Sequence, residues 1–445
     1  MDTIIACSTP MGHSGIALIR MSGDLSKQII YDLISKPLEH RKATYCTLHE
    51  QNEIIDSCIV CLFQKPNSYT GEDLIEISCH GNPVIIEHVV QQCIKRGARP
   101  ARKGEFTKRA LLNQKLSLLQ AESLDALIHS TSLSGVKIAQ KGIHGKIDNF
   151  IQNMQLEIVN ICAELEARLD YPGDELEYIN DSELLKKMQF MIEQVRKNCF
   201  EWEHSKRKIY GAKVALVGEV NAGKSSLFNR LVDMERAIVS SIAGTTRDVI
   251  EKSVFIHGLE ICFFDTAGKR DSSHDEIEIQ GMNLGTKLMN EMDAIILVID
   301  PQNIHEDLVQ NIISHIECIC IVVFTHADML HQSEITFPDM LQKFPHYFIS
   351  SITGEGMEAL KHGLYQMLFQ RETSENQFIT SQRQYDILMR LIYYLENSMK
   401  ALPDLGPAIA IDDLTTCLEQ MSEFSGQDVR ELILDQLFSR FCIGK

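Results

Sequence analysis

Short apolar runs separated by turn residues open the chain. Thr3–Cys7, Ile16–Arg20, Ile54–Phe63 and Leu74–Ile77 predict strands, and Asp24–Ile34 and Pro83–Lys95, with apolar positions at helical spacing, predict helices. Residues 1–115 thus predict an α/β domain. From Leu116 the period becomes helical throughout: Leu116, Leu118, Leu119, Ala121, Leu124 and Leu127, then Ile151, Met154, Ile158, Ile161, Leu165 and Leu169 on one face. Tyr171-Pro172-Gly173 interrupts the pattern and Leu184–Phe200 resumes it. Between about 208 and 370, buried-strand runs return (Val214–Val217, Ile261–Phe264, Ala294–Ile299, Ile319–Phe324 and Tyr347–Ile349), alternating with helical stretches. That alternation predicts a mostly parallel sheet with helices on both faces. Residues 371–445 are helical in texture again. The expected α/β multidomain organisation is an N-terminal α/β domain (1–115), a helical domain in two pieces (116–207 and 371–445), and an α/β domain (208–370) inserted between them.

Composition narrows the classes. At 445 residues, 44% hydrophobic and 23% charged, the chain is an ordinary globular protein. Its longest apolar runs fall far below the ~18–20 residues of a membrane span. The N-terminal residues show no basic secretory pattern, and the 13 cysteines suit a reducing, cytoplasmic compartment. Cys58 and Cys61 form a C-x-x-C inside an apolar run, which predicts thiols on a strand, since no second pair at metal spacing follows. The net charge is -18, which disfavours general nucleic-acid binding. The charge is uneven: residues 1–115 carry 14 basic and 12 acidic side chains, residues 208–370 carry 12 and 22. Seven basic residues between Lys95 and Arg109 fit either a solvated helix end or an anion contact.

The strongest chemical signal is Gly218-Glu219-Val220-Asn221-Ala222-Gly223-Lys224-Ser225, which follows an apolar strand and opens a helical run. In that setting backbone N–H groups and the helix N-terminus cradle phosphate. Lys224 supplies a point charge to the β- and γ-phosphates, and Ser225 a hydroxyl to Mg²⁺. Asp265-Thr266-Ala267-Gly268 ends a later strand, placing Asp265 to hold Mg²⁺ through water and the Gly268 N–H to sense a γ-phosphate. Thr246, in Gly244-Thr245-Thr246-Arg247-Asp248, completes the Mg²⁺ set. GTP is favoured over ATP, although the usual Asn-Lys-x-Asp base-reading segment here reads Thr325-His326-Ala327-Asp328. Asp328 accepts from guanine N1 and N2 hydrogens. Thr325 replaces part of an asparagine amide, and His326 offers a flat ring in place of a lysine stem. Ser350-Ser351-Ile352 resembles the last guanine-loop motif. Lys269 stands where Ras-like GTPases carry a water-orienting glutamine, and a side chain with only donors cannot accept a proton from water.

Together these blocks resemble the tRNA-modifying GTPase family MnmE (also called TrmE) over essentially the whole chain. The resemblance rests on Ser14–Gly23, Gly71–Glu76 with His80-Gly81, Gly104–Ala110 with Leu112–Lys115 and Gln120–Glu122, Asn221–Ser226 with Gly244–Asp248, and the terminal Cys442-Ile443-Gly444-Lys445. Val220 departs from the family's usual proline. The resemblance implies a tetrahydrofolate-binding-like N-terminal domain that dimerises, with Arg20, Glu76, Lys115 and Lys445 on a 5-formyl- or methylene-tetrahydrofolate. It implies a Ras-like P-loop G domain in which K⁺ replaces an arginine finger, held by Asn221, Ser240, Ile242 and Thr245. GTP would meet Asn221, Ala222, Gly223, Lys224, Ser225 and Ser226, then Ser240, Ser241, Ile242, Ala243, Gly244, Thr245 and Thr246. It would also meet Asp265, Thr266, Ala267, Gly268, Thr325, His326, Ala327, Asp328, Ser350, Ser351 and Ile352. The water-orienting glutamate falls on Glu278, with Glu276 the alternative. Lys224, Thr246, Gly268, Glu278 and Cys442 form the catalytic set, with folate-pocket lining the other reading of Cys442.

The implied reaction adds a carboxymethylaminomethyl or aminomethyl group at C5 of the wobble uridine of certain tRNAs. The implied partner is an MnmG-like flavoprotein carrying FAD, in a heterotetramer with the homodimer, with no membrane involvement. A GTP-regulated ribosome-assembly switch would share the G domain but need neither a folate site nor the terminal Cys-x-Gly-Lys. A regulatory scaffold that binds nucleotide and barely hydrolyses it is a third reading.

Overall fold

The computed structural model describes all residues except 1, 52, 171–177, 220, 234–249, 266–290, 317, 330–337, 371–376, 426–437, 439–440, 442–443 and 445. The chain forms two compact units: Met1–Asp125 with Ile143–Gln189 and Arg390–Lys445, and Ala126–Gly142 with Phe190–Met389.

The first unit contains a six-stranded sheet of β1 (Thr3–Cys7), β2 (Ser14–Ser22), β3 (Thr44–Glu50), β4 (Glu53–Phe63), β5 (Leu74–Gly81) and β6 (Ala98–Pro100), in the order β3-β4-β5-β2-β1-β6. Neighbours are antiparallel except β1 and β6. Strand alternation sends Ile19, Met21, Ile75 and Ile77 to one face, where they pack with Ile29, Leu33 and Val89 of helices Ser26–Ile34 and Pro83–Lys95. The second helix starts as its sequence requires: Asn82 accepts from the Val84 N–H at 2.9 Å, and Pro83 occupies the first turn. Alternation also separates the C-x-x-C pair. Cys58 is buried on the helix-covered face, with its thiol pushed up to about 12 by lost solvation and neighbouring Cys46, while Cys61, three residues on, falls on the other face. The two thiols therefore do not converge on one metal.

Two side chains of the basic stretch, Arg99 and Arg109, are engaged inside the unit. The Arg109 side chain is only 6% exposed and bonds the Asp2 carbonyl at 2.8 Å, Asp2 Oδ1 at 2.7 Å and Glu72 Oε2 at 2.9 Å. Arg99 bonds Glu105 through both terminal nitrogens, at 2.9 and 2.5 Å, and also pairs with Asp2. Burial, the largest single influence, would raise the Glu105 carboxyl; the Arg99 hydrogen bond, the Arg102 N–H and the charges of Arg99 and Arg109 together outweigh it and hold it below the usual carboxylate range. The network pins helix Glu105–Leu112 to the Thr70–Glu72 turn, where Ser22 Oγ donates to Glu72 Oε2 at 2.8 Å. In the helical part, Lys146–Asp170 packs on Pro407–Ser425, presenting buried Ile151, Ile158 and Leu165 and buried Leu414, Cys417 and Met421.

The second unit contains β7 (Ala212–Gly218), β8 (Ile250–Ile256), β9 (Leu259–Asp265), β10 (Ala294–Ile299), β11 (Ile319–Phe324) and β12 (His346–Phe348), in the order β12-β11-β10-β7-β9-β8. All pairs are parallel except β8–β9. One face of the sheet packs Leu216, Ile296 and Val298 on Leu227 and Leu360 of helices Lys224–Asp233 and Met357–Phe369. The other packs Leu297 and Val322 on Val309 of helix Glu306–Ser314. The expected parallel sheet with helices on both faces is thus observed. It gains β8, joined to β9 through His257-Gly258, both at positive φ (51° and 79°), as a two-residue hairpin turn requires.

Arg109→Ala leaves Glu72 and Glu105 buried without their shared cation. The expected cost is about 3–5 kcal/mol in a chemical-denaturation experiment on the full chain. Arg109→Lys, lacking the fork that spans Asp2 and Glu72, should recover only part. An unchanged midpoint for Arg109→Ala would show the network to be dispensable.

Candidate functional site

The phosphate loop leaves the C-terminal end of β7 and turns into helix Lys224–Asp233. Its tightness begins at Gly218 (φ +154°): β10 runs alongside, so a Cβ on Gly218 would stand 2.1 Å from the Val298 carbonyl oxygen. Only glycine lets the loop start there. Asn221 takes a left-handed conformation (φ +67°) at the exposed turn. Lys224 is buried, and its Nζ donates to the carbonyls of Gly218 at 2.9 Å and Glu219 at 2.5 Å. Burial lowers the Lys224 ammonium from its ordinary value, against the opposing fields of Asp265 and Glu219. Ser225 Oγ donates to Asp265 Oδ2 at 3.0 Å. A hydroxyl and a buried carboxylate thus meet at the ends of β7 and β9, the hard oxygen donors that Mg²⁺ takes.

The base-reading segment begins where β11 ends. Thr325 N–H donates to the Ile299 carbonyl at 3.0 Å, and its Oγ1 donates to the Ala222 carbonyl at 3.0 Å. The side chain in the usual asparagine position therefore ties the base loop to the phosphate loop. His326, at φ +59°, follows it, with Nδ1 3.2 Å from Thr325 Oγ1. Ala327 N–H donates to the Ile349 carbonyl at 3.1 Å, bringing the Ala327–Met329 turn beside Ser350. The Asp328 carboxyl is held below its ordinary range, first by the hydrogen bond from Ser350 and then by backbone N–H and His326. Ser350 is buried and its Oγ also accepts from Thr353 N–H at 3.1 Å, whereas Ile352 is exposed. Asn221 to Ser226, Asp265, Thr325 to Asp328 and Ser350 to Ile352 are thus gathered along the C-terminal edge of one parallel sheet, where α/β folds bind ligands. Ser240, Ser241, Ile242, Ala243, Gly244, Thr245, Thr246, Thr266, Ala267, Gly268, Lys269, Glu276 and Glu278 lie outside the described residues. Sequence reasoning missed Asp300, whose Oδ1 lies 3.7 Å from His326 Nδ1; its place directly after β10 was the available signal.

In the first unit, Arg20 and Glu76 are direct cross-strand partners on β2 and β5, paired at 2.8 Å and each about a quarter exposed. They lie on the sheet face away from the two helices. The exposed Lys115 follows helix Glu105–Leu112, and Gly71 admits its stem: a Cβ there would meet Lys115 Cε at 3.3 Å. Cys442 and Lys445 lie outside the described residues. Between them Gly444 (φ +92°) is seated against the end of β1, its carbonyl accepting from Ser8 Oγ at 2.9 Å. A Cβ there would stand 2.7 Å from the Cys7 carbonyl oxygen. Because Ala6 pairs with Arg20 in register, the terminal glycine lies near the strand pair that carries Arg20 and Glu76.

Comparisons with known proteins agree across the chain. The family model for the GTP-binding protein TrmE N-terminus matches residues 3–115, and that for the MnmE helical domain matches 118–442. The tRNA modification GTPase MnmE of Thermotoga petrophila is 34% identical over 454 residues, covering 100% of both chains. Those of Francisella philomiragia and Coxiella burnetii are each 33% identical, covering 100% of this chain and 99% of their own. Among solved structures, the G domain of the Thermotoga maritima FeoB iron transporter aligns with 35% of this chain and 98% of its own, at 29% identity and a TM-score of 0.28. That score is too low to speak for the fold, which the strand order above defines by itself.

Asp328→Asn replaces a double acceptor with an amide that carries its own donor. Guanine-nucleotide affinity should fall roughly ten-fold or more, while xanthine, with a carbonyl where guanine has an amino group, should gain. Competition binding with the two diphosphates reads both. Unchanged guanine preference would show that base reading lies with other residues.

Proposed function

The chain belongs to the MnmE family of tRNA modification GTPases, and on that premise we propose how its parts divide the work. The protein is a GTPase acting in tRNA modification. The G domain (208–370) binds and hydrolyses GTP. The N-terminal domain (1–115) binds a 5-formyl- or methylene-tetrahydrofolate and dimerises, and the helical pieces (116–207 and 371–445) link the two. The single observation that carries the nucleotide reading is the meeting of Lys224, Ser225 and Asp265 at one sheet edge, with Asp328 and Ser350 following β11 and β12 along the same edge.

Ser225 and Asp265, with Thr246, would hold Mg²⁺; Asn221, with Ser240, Ile242 and Thr245, would hold K⁺. When bound, these cations offset charge on the phosphates, and the folate supplies a one-carbon unit. Lys224 neutralises the β- and γ-phosphates, the Gly268 N–H senses the γ-phosphate, and Glu278, or Glu276 in its place, orients the attacking water. The Arg20–Glu76 pair suits a folate: the guanidinium matches its glutamate tail, and the carboxylate can accept from pterin N–H groups. Lys115 and Lys445 add positive charge, and Cys442 stands at the same terminus. With an MnmG-like flavoprotein carrying FAD, in a heterotetramer with the homodimer, the protein would install a carboxymethylaminomethyl or aminomethyl group at C5 of the wobble uridine in the cytoplasm. GTP hydrolysis would drive G-domain movement. Mass spectrometry of wobble nucleosides from cells lacking the protein tests this reading; unmodified levels identical to wild type would favour the ribosome-assembly switch.

GTP turnover should be faster in K⁺ than in Na⁺ at equal ionic strength, and Glu278→Ala should lower kcat with little change in nucleotide affinity. Equal rates in the two salts would remove K⁺ from the mechanism. A large effect of Glu276→Ala alone would move the water-orienting role to that residue.

Deleting Cys442–Lys445 should abolish modification and weaken folate binding while sparing GTP hydrolysis. The cut falls after Phe438 and Phe441, buried with Leu118 and Ala121, so that anchor of the tail remains while the Gly444 contact with Ser8 is lost. Calorimetric folate titration beside a GTPase assay separates the outcomes. Loss of GTP hydrolysis as well would indicate a folding defect, and retained modification would detach the terminus from the chemical site.

A further inference from the structure

The nucleotide site contains a charged side chain, Asp300, that the reading above does not use. Asp300 follows β10 directly, between the phosphate loop and the base loop, and its side chain is 18% exposed. It caps its own turn: Oδ1 accepts from Gln302 N–H at 3.0 Å and Oδ2 from the Asn303 amide at 3.1 Å. It also faces His326, with Oδ1 3.7 Å from Nδ1.

The hydrogen bonds around Thr325 assign the histidine's tautomer. Thr325 Oγ1 has one proton, and its acceptors are the carbonyls of Ala222 at 3.0 Å and Ile299 at 3.3 Å. With that proton on the nearer acceptor, the Ala222 carbonyl, Oγ1 is left to accept toward His326, and Nδ1, 3.2 Å away, is assigned the hydrogen. A carboxylate at 3.7 Å favours the same arrangement. The result is a relay: His326 Nδ1–H to Thr325 Oγ1, then Thr325 O–H to the Ala222 carbonyl in the phosphate loop. The His326 side chain is 37% exposed, and the ring lies within electrostatic reach of Asp328.

We propose that Asp300 is a positioning residue for nucleotide binding: it fixes the His326 ring with Nδ1–H turned to Thr325, so that the ring face serves the base and the base loop is coupled to the phosphate loop. In this chain the pair of Asp300 and His326 does what a lysine stem does in the usual base-reading segment. The aspartate supplies the orientation that a long aliphatic stem obtains from packing. The inference rests on the site being a guanine-nucleotide site.

Asp300→Asn removes the charge facing His326 while its Oδ1 still accepts from Gln302 N–H; the bond from the Asn303 amide is lost with it, and Asn303→Ala isolates that loss. Fluorescent mant-GDP is titrated into the full-length protein at fixed pH and salt. Asp300→Asn and His326→Leu should each weaken binding roughly ten-fold, and the double variant should bind no more weakly than His326→Leu alone, because residues acting through one another are not additive. Asn303→Ala, which removes only a capping bond, should bind as wild type. Nitrogen-15 NMR of ring-labelled histidine should show the Nδ1–H form of His326 in wild type and a mixture of tautomers in Asp300→Asn, a change that a merely structural role would not produce. Wild-type affinity in Asp300→Asn, or effects that multiply in the double variant, would overturn the proposal. Failure of the wild-type protein to bind mant-GDP would overturn the nucleotide-site reading and this inference with it.

Discussion

The parallel pairing of β10 between β7 and β11 sets where each nucleotide-site group stands. All six β10 side chains are buried, alternating between two helix-covered faces. The pairing is continuous along the strand, over five residues with β7 and six with β11. Val298 lies opposite Gly218, and Ile299 opposite Phe324. That register delivers the phosphate loop, Asp300 and Thr325 side by side at one sheet edge. It also forbids a side chain at position 218 and brings Thr325 Oγ1 to the Ala222 carbonyl. The chemistry is thus placed by apolar packing several residues away from it.

Much of this was legible beforehand because the buried strands are continuous apolar runs. Ala294–Ile299 and Ile319–Phe324 are observed with the bounds read from sequence alone. The phosphate loop was equally clear, because glycine, lysine and serine at that spacing have few other uses after a buried strand. Strands half-open to solvent were harder. In β3 only Cys46 and Leu48 are buried, and two apolar positions in a polar segment do not outweigh a loop reading. In β8 the signal lay in a His-Gly turn, which resembles ordinary loop composition until both residues are seen at positive φ. Asp300 could not be found by motif at all. Its relation to His326 depends on how β10 and β11 end together, which is a property of the register.

The basic stretch near Arg109 shows the same limit from the other side. Charge counting offered a solvated helix end or an anion contact. Arg109 and Arg99 are instead neutralised by Asp2, Glu72 and Glu105, which are remote from one another in sequence. A buried guanidinium with several carboxylates is a weak source of net stability, since desolvation offsets much of the attraction. Its geometry does specify one thing: helix Glu105–Leu112 is held against the Thr70–Glu72 turn, so Lys115 emerges beside Gly71. The fixed position of an exposed lysine thus depends on charges buried behind it.

Thiol chemistry is narrowed by the same burial. Eight of the described cysteines are buried: Cys46, Cys58, Cys79, Cys93, Cys162, Cys199, Cys320 and Cys417. Loss of solvation raises every one of them, with Cys93, Cys199, Cys320 and Cys417 pushed up to about 12. The thiolate is the nucleophile, so at neutral pH these side chains behave as small hydrophobes. They fill the sheet and helix cores in place of alanine or valine, which accounts for so many cysteines without a disulfide among the described residues. Any nucleophilic role proposed for Cys442 therefore has little competition from the protein interior.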